Sequence, residues 1–343
     1  MKHAKLISFL SLFMVAIIIA IILFYRIIFG LNLKTGGEKI TLYIPEGSTY
    51  TQAVDTIRAH FHIRDPKAFS WIAEKKKYPS LVKPGRYIID SDISYSGLIN
   101  LLRSGRQAPV NVTFNNIRTL NELAGKVGKQ IDADSVHLIN FLTDPDNYSK
   151  DGFTRETVIS VFIPNTYQLF WNTGPEGFYM RMLREYNKFW NEERQAKAVS
   201  NNLSRIEVSV LASIVDEEAA KTDEKPRIAG VYLNRLRRGI PLQADPTIKF
   251  ALNDFSISRV LKKHLDVNSP YNTYIHRGLP PGPIGCPSVS GLDAVLNAEK
   301  HDYLYFAAKA DFSGYHNFSR TLSEHNRYAA EYQRELNKRR IFR

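Results

Sequence analysis

Between Leu6 and Tyr25 the chain carries no charged residue, and only Ser8 and Ser11 interrupt its aliphatic and aromatic side chains. About 20 consecutive apolar residues are what a helix needs to cross the hydrocarbon core of a bilayer. Such a stretch is a membrane-spanning helix or, as the alternative, a helix buried on all sides in a soluble core. Lys2 and Lys5 precede it, and Arg26 follows before the apolar Ile27, Ile28 and Phe29. The run is longer than a signal-peptide core and no small-residue cleavage site follows it. The expectation is an uncleaved single-pass anchor over residues 6–29, residues 1–5 cytoplasmic, and the bulk of the chain outside the cytoplasm. Arg26, Lys34 and Lys39 follow so closely that the flanking charges fix this orientation only weakly.

The 343 residues leave room for two domains beyond the anchor. A net charge of +12 suits an anionic partner: nucleic acid, anionic lipid or an acidic cell-wall polymer. The basic residues are scattered, without the clustered pattern of a nucleic-acid reader, so no nucleic-acid partner is expected. The single cysteine, Cys286, excludes an intramolecular disulfide and a cysteine-based zinc site. No histidine pair lies on one helix face, and there is no nucleophile elbow, P-loop or dinucleotide fingerprint. Neither a metal nor a cofactor is expected.

An alternating strand, Ile40 to Ile44, follows a linker over residues 30–39. Helical patterns then run through Ala53, Ile57 and Phe61 and from Pro66 to Lys77, and Gly85 to Ile89 reads as a returning strand. The pattern recurs as a strand at Val110 to Phe114, a helix from Leu120 to Ile131 and a short helix from Ser135 to Leu142. Two related β-α-α regions are expected, over residues 40–106 and 107–150, ahead of a larger domain over 151–343. Asp65-Pro66 and Asp144-Pro145 read as turn signals. The fold class is α+β.

In the larger domain a helical stretch is expected from Pro175 to Ala198, then a helix from Ser204 to Lys221, then another from Pro226 to Arg238 with Gly239 as its stop. Ser204 and Glu207 form a capping box, which accounts for Glu207 without chemistry. Three acids close the second of these helices. At about 100° per residue, Asp216 points away from the apolar arc, Glu217 sits at its edge, and Glu218 falls near its centre, one turn past Leu211 and Val215. A carboxylate on an apolar face at the negative end of a helix is poorly solvated as an anion, so its pKa should rise. That environment suits a general acid. The plainer alternative is that Glu218 pairs with a basic residue or frays into solvent.

Downstream, Gln243-Ala-Asp245-Pro-Thr247 reads as a compact hydrogen-bonding loop, and Tyr271-Asn-Thr-Tyr274 and Gly278-Leu-Pro-Pro-Gly-Pro-Ile284 as a rigid second segment. Amides, hydroxyls and rings held on a fixed backbone suit a site that reads sugars.

Seven ordered blocks carry a resemblance: Leu211-Ala-Ser-Ile-Val-Asp-Glu-Glu218, Val231-Tyr-Leu-Asn-Arg-Leu236, Leu242-Gln-Ala-Asp-Pro-Thr247, Tyr271-Asn-Thr-Tyr274, Gly278-Leu-Pro-Pro-Gly-Pro-Ile284, Tyr303-Leu-Tyr-Phe306 and His316-Asn-Phe318. In this order they are similar to the endolytic murein transglycosylases (MltG, or YceG-like). The resemblance implies an anchor, a LysM-like region and a mixed α/β catalytic domain of YceG-like type. It implies a lytic transglycosylase of the bacterial inner membrane, with its catalytic domain on the periplasmic or extracytoplasmic side. The enzyme would cut nascent peptidoglycan strands internally, working beside a penicillin-binding protein complex that polymerises and cross-links them. The family's acid-x-Glu-Thr pattern puts the catalytic glutamate on Glu218 and the first acid on Asp216. Ala219 stands where the family usually has Thr, and Ser319 follows His316-Asn-Phe. By motif, Gln243, Asp245, Thr247, Asn272, Tyr274, Pro280 and His316 are assigned to substrate binding. Two other readings stay open: a muramidase-type hydrolase with Asp245 or Asp216 as second carboxylate, and a non-catalytic glycan-binding scaffold.

Overall fold

The computed structural model describes residues 2–339, with side chains from residue 6 onward. Met1 and residues 340–343, the ends of two expected segments, lie outside the described residues. The chain forms two compact units. The first takes in the chain as far as Val112 together with Gln130–Ala133 and Gln168–Thr173, and the second takes in Thr113–Lys129, Asp134–Tyr167 and the chain from Gly174 onward.

In the first unit, helix α1 (Lys2–Phe29) includes one stretch, Leu6–Phe29, long and apolar enough to cross a membrane. Strand β1 (Ile40–Ile44), helices α2 (Tyr50–His60) and α3 (Pro66–Lys75), strand β2 (Gly85–Ile89) and helix α4 (Tyr95–Ser104) follow. The strands pair antiparallel with Ile40 opposite Ile89 and Ile44 opposite Gly85. Strand alternation turns Leu42, Ile44, Tyr87 and Ile89 inward against Ala53 and Ile57 of α2 and Phe69 and Ile72 of α3. Asp65, read as a turn residue, accepts from the Ala68 amide at 3.0 Å and so caps α3, with Pro66 in its first turn. Helix α4 was not expected, although Ser94 caps it and Leu98, Ile99 and Leu102 give it a buried face.

The expected linker is part of this unit. Leu33 is fully buried, and its amide and carbonyl both bond to Ile93 at 3.0 Å. The Thr35 amide donates to Asp92 at 2.9 Å, and Lys34 pairs with the same carboxylate at 2.8 Å. An unpaired backbone would have made a flexible tether; here Leu33 and Thr35 tie it to Ile93 and Asp92.

Strand β3 (Val110–Phe114) pairs with strand β4 (Asn165–Leu169), and the division between the units runs through both. Helices α5 (Leu120–Gly128) and α6 (Ser135–Thr143) lie between them, so the partner of β3 stands beyond residue 150. The expected single helix from Pro175 to Ala198 is two: α7 (Pro175–Phe189) and α8 (Glu192–Ser200), the second restarted by Asn191, whose side chain accepts from the Arg194 amide. Helices α9 (Arg205–Glu218) and α10 (Lys225–Arg237) follow, then the short α11 (Asp245–Ala251), α12 (Val289–Leu296), strands β5 (Tyr305–Ala308) and β6 (His316–Ser319), and α13 (Leu322–Lys338). The second unit is thus largely helical around α9, with small two-stranded sheets; α12 and the β5–β6 pair were not expected.

Leu33→Ala in the detergent-solubilised full chain should destabilise the first unit by roughly 2–5 kcal/mol, the usual cost of emptying a buried leucine site. Denaturant unfolding checks this; a neutral effect would mark the segment as a true linker.

Candidate active site

Helix α9 begins as the sequence requires. Ser204 accepts from the Glu207 amide, and the Glu207 carboxylate accepts from the Ser204 amide at 2.7 Å. Its middle is buried all round: every residue from Val208 to Val215 is closed off, serines included. Ser213 donates to the Val210 carbonyl at 2.7 Å and accepts from the Ile284 amide at 3.0 Å, fastening the end of the proline-glycine segment to the helix.

The three acids at the end of α9 enter three environments. Asp216 accepts from Lys225 at 2.6 Å and from the Ser288 hydroxyl at 2.8 Å on one oxygen, and from the Ser288 amide at 2.7 Å on the other. Lys225 also donates to Ser290 at 2.8 Å. Glu217 meets the Arg118 guanidinium through both oxygens, at 3.3 and 3.0 Å. Glu218, the last helical residue, accepts one hydrogen bond, from the Tyr232 hydroxyl at 3.1 Å.

Burial pushes the Glu218 carboxyl up to about 7, and the nearby Asp245 charge adds to the rise. The Tyr232 hydroxyl and the Lys249 charge pull it back, and Glu217 raises it slightly. The residue as a whole is only partly buried. Tyr232 is buried, and burial together with the Glu218 charge keeps its phenol well above the usual range. A group poised this way holds a proton near neutrality and can give it up or take it back.

The segment expected as a compact loop is partly helical. Gln243 sits in left-handed backbone (φ 52°), and Asp245 opens α11 instead of lying in a loop. The Gln243 amide donates to the Thr273 carbonyl, and the Ala244 amide to the Thr273 hydroxyl, both at 3.0 Å. The Tyr274 hydroxyl donates to Asp245 at 2.5 Å. Gln243 and Asp245 remain exposed.

Three residues assigned to substrate by motif are closed off. Thr247 is fully buried, donating to the Ala244 carbonyl at 2.7 Å and bonding Thr273 at 2.9 Å. Asn272 is fully buried as well. Its amide donates to the Leu265 and Val267 carbonyls at 2.8 and 2.9 Å, and its oxygen accepts from the Tyr274 amide at 3.0 Å. Pro280 is buried in its segment. The side chains of Thr247 and Asn272 hold the loops, and no face of any of the three is open to a ligand. His316 is locked to Glu224 at 2.9 Å, and its ring meets Phe306 edge-on at 5.3 Å; Phe306 in turn meets Tyr232 edge-on at 5.9 Å.

Tyr232 and Arg235 were not singled out as site residues from the sequence. Arg235 is 7% exposed, lies over the Tyr305 ring at 5.3 Å, and donates to the Gln243 side-chain oxygen at 2.5 Å. That bond occupies the Gln243 side-chain oxygen and leaves the amide nitrogen of this exposed residue as a donor. The readable signal was Tyr232 itself, because a tyrosine in a buried stripe needs a partner for its hydroxyl. A large cleft, about 980 Å³, lies along α10 and is lined by Gly230, Asn234, Arg237 and His301, apart from Glu218. No group of three or more His, Cys, Asp or Glu residues able to hold a metal occurs among the described residues.

Fold and site together define an α+β protein, preceded by an apolar helix, whose candidate chemistry rests on one raised carboxyl among amide and hydroxyl groups. The chain belongs to the YceG-like family, which it matches over residues 42–331. It is similar to the endolytic murein transglycosylase of Bacillus subtilis (strain 168), 29% identical over 315 residues that cover 87% of this chain and 86% of that protein. It is 29% identical to the endolytic murein transglycosylase of Streptococcus pneumoniae serotype 2 (strain D39 / NCTC 7466), over 85% of this chain but only 58% of that longer relative. The crystal structure of a yceG-like protein from Listeria monocytogenes, 27% identical, superposes with a TM-score of 0.56 over 84% of this chain and 98% of that one.

Raising a carboxyl from 4.5 to about 7 on folding makes the native state bind more protons than the unfolded one between those values. Stability is therefore lost as pH climbs through that window, by at most ~3 kcal/mol. Glu218→Gln should be more stable than the wild type at pH 8 and lose that advantage at pH 4; denaturant midpoints at the two pH values check it.

Proposed function

We propose that this chain is a membrane-anchored peptidoglycan lytic transglycosylase in which Glu218 alone handles the proton. Support comes from the family, from relatives named endolytic murein transglycosylases, and above all from a carboxyl raised to about 7 with a single hydroxyl donor.

Protonated Glu218 gives its proton to the glycosidic oxygen of a MurNAc-GlcNAc β-1,4 linkage. The bond from the muramyl anomeric carbon to that oxygen breaks, and an oxocarbenium-like state develops. The C6 hydroxyl of the same muramyl residue attacks the anomeric carbon, and its proton goes to the Glu218 carboxylate. The strand ends in a 1,6-anhydro ring and the acid is restored. One carboxyl acting first as acid and then as base is enough, because the substrate supplies its own nucleophile. No cofactor enters this sequence of steps. Tyr232 steadies the anionic form of Glu218, which limits how far burial raises it. Gln243 and Asp245, the latter bonded to Tyr274, offer a donor and an acceptor to sugar hydroxyls and amides. Thr247, Asn272 and Pro280 shape the loops that carry them, and His316 supports Tyr232 through Phe306.

In this reading α1 anchors the protein in the bacterial cytoplasmic membrane and the second unit works on the extracytoplasmic side. Cutting nascent strands from within would end their polymerisation, beside a penicillin-binding protein complex. The β-α-α-β order of residues 40–89 supports a LysM-like role in glycan binding for the region 40–106.

A hydrolase using Asp245 as second carboxylate is the competing reading, favoured by the electrostatic coupling of Asp245 to Glu218. Asp216 is a poor partner, since Lys225 and Ser288 already occupy both of its oxygens.

The purified enzyme on uncrosslinked glycan should yield 1,6-anhydromuramyl ends by mass spectrometry, and Glu218→Gln should lower the rate by at least about 10²-fold. Reducing muramyl ends would favour the hydrolase, and retained cleavage in Glu218→Gln would remove Glu218 from the mechanism.

A further inference from the structure

The end of the apolar helix is not free of the first unit. Ile28 packs against the core formed by α2, α3, α4 and the β1–β2 pair. The Phe24 ring meets the indole of Trp71, on α3, edge-on at 5.8 Å. The exit from the helix is closed in: the Gly30 amide donates to the Arg26 carbonyl at 2.9 Å, and the Asn32 side chain donates to the Ile27 carbonyl at 2.7 Å. A Cβ on Gly30 would come within 2.3 Å of the Arg26 oxygen, so only glycine fits this junction. The unit therefore has a defined height along the helix axis.

That height follows from the length of the span. The 24 residues of Leu6–Phe29 rise about 36 Å, roughly 6 Å more than the ~30 Å hydrocarbon core. The last turn, with Arg26, then extends into the headgroup layer and Phe24 lies close to the edge of the core. Whatever touches Phe24 is at the same depth. Trp71 is 43% exposed, the Lys75 ammonium lies 5.9 Å from its ring, and Lys67 and Lys75 stand four residues to either side of it on one face of α3. A tryptophan flanked by lysines that extend their amines outward is the composition of a membrane-interface anchor.

We propose that this face of α3 lies in the interfacial layer of the same membrane that α1 spans, with Trp71 at headgroup depth and Lys67 and Lys75 on anionic lipid headgroups. The inference rests on the reading of α1 as an anchor. It makes the first unit a membrane-seated platform, where a tether would have left it free.

The test uses the full chain reconstituted in phosphatidylglycerol–phosphatidylcholine vesicles, with and without lipid bearing a nitroxide at acyl carbon 5. Helix α1 contains no tryptophan, so quenching reports on the extramembrane units. Wild type should lose emission to the nitroxide lipid by a margin that Trp71→Phe lacks, and Lys67→Glu with Lys75→Glu should shrink that margin. Trp71→Tyr serves as second reference if the Phe variant is unstable. Vesicle flotation reads the anchor separately. Failure to float refutes the anchor and the platform together. Flotation with equal quenching in wild type and Trp71→Phe overturns the platform alone, as does a Trp71 that ignores lipid but shifts its emission on added peptidoglycan fragments.

Discussion

Asp216 has a partner on each oxygen, one of them the ammonium of a nearly buried lysine. Charge-assisted bonds of this kind are short and directional, and a carboxylate left without them at this depth would be costly. Their consequence is rotational. With Asp216 turned toward Lys225 and the start of α12, a residue two positions further on is carried about 200° around the axis. Glu218 must then face the opposite side, where Tyr232, Asp245 and Lys249 lie. A Cβ on Gly291 would fall within 2.6 Å of the Asp216 carboxylate, so α12 can approach this closely only with a glycine there.

Three consecutive acids consequently behave as three different groups. Asp216 is an ion-pair partner that sets phase, and Glu217 meets Arg118 in a half-exposed pair of little energetic weight. Glu218 alone accepts just one hydrogen bond, from the Tyr232 hydroxyl, and feels Asp245 and Lys249 only as nearby charges. The same contrast governs the helix end: α9 stops at Glu218, where a negative side chain gains nothing from the backbone dipole. An acid there is tolerable because its raised pKa, about 7, leaves it uncharged for a large share of the time near neutral pH.

Much of this was legible because it follows from periodicity. The phase of Glu218 against Leu211 and Val215, the capping box at Ser204, the pairing of residues 40–44 with 85–89 and the apolar helix are all one-dimensional patterns that local geometry enforces. What was not legible depends on partners distant in sequence. Leu33 looks like linker until Ile93 is seen beside it, 60 residues later. Arg235 is one of several basic residues near a helix end until Tyr305 and Gln243 are seen beside it. Asn272 and Thr247 have side chains of a kind that suits sugar binding, yet Asn272 spends its own on the backbone of its segment and Thr247 on Ala244 and Thr273. A motif fixes which residues are present in a region and leaves open which of them face outward.

The account stands on the protonation state of one carboxyl. The most direct measurement is the carbonyl stretch of protonated carboxylic acid by infrared titration, taken as wild type minus Glu218→Gln. A difference band that disappears with a midpoint near pH 7 is the predicted result. A band lost near pH 4.5, the value of an unperturbed glutamate, would contradict it.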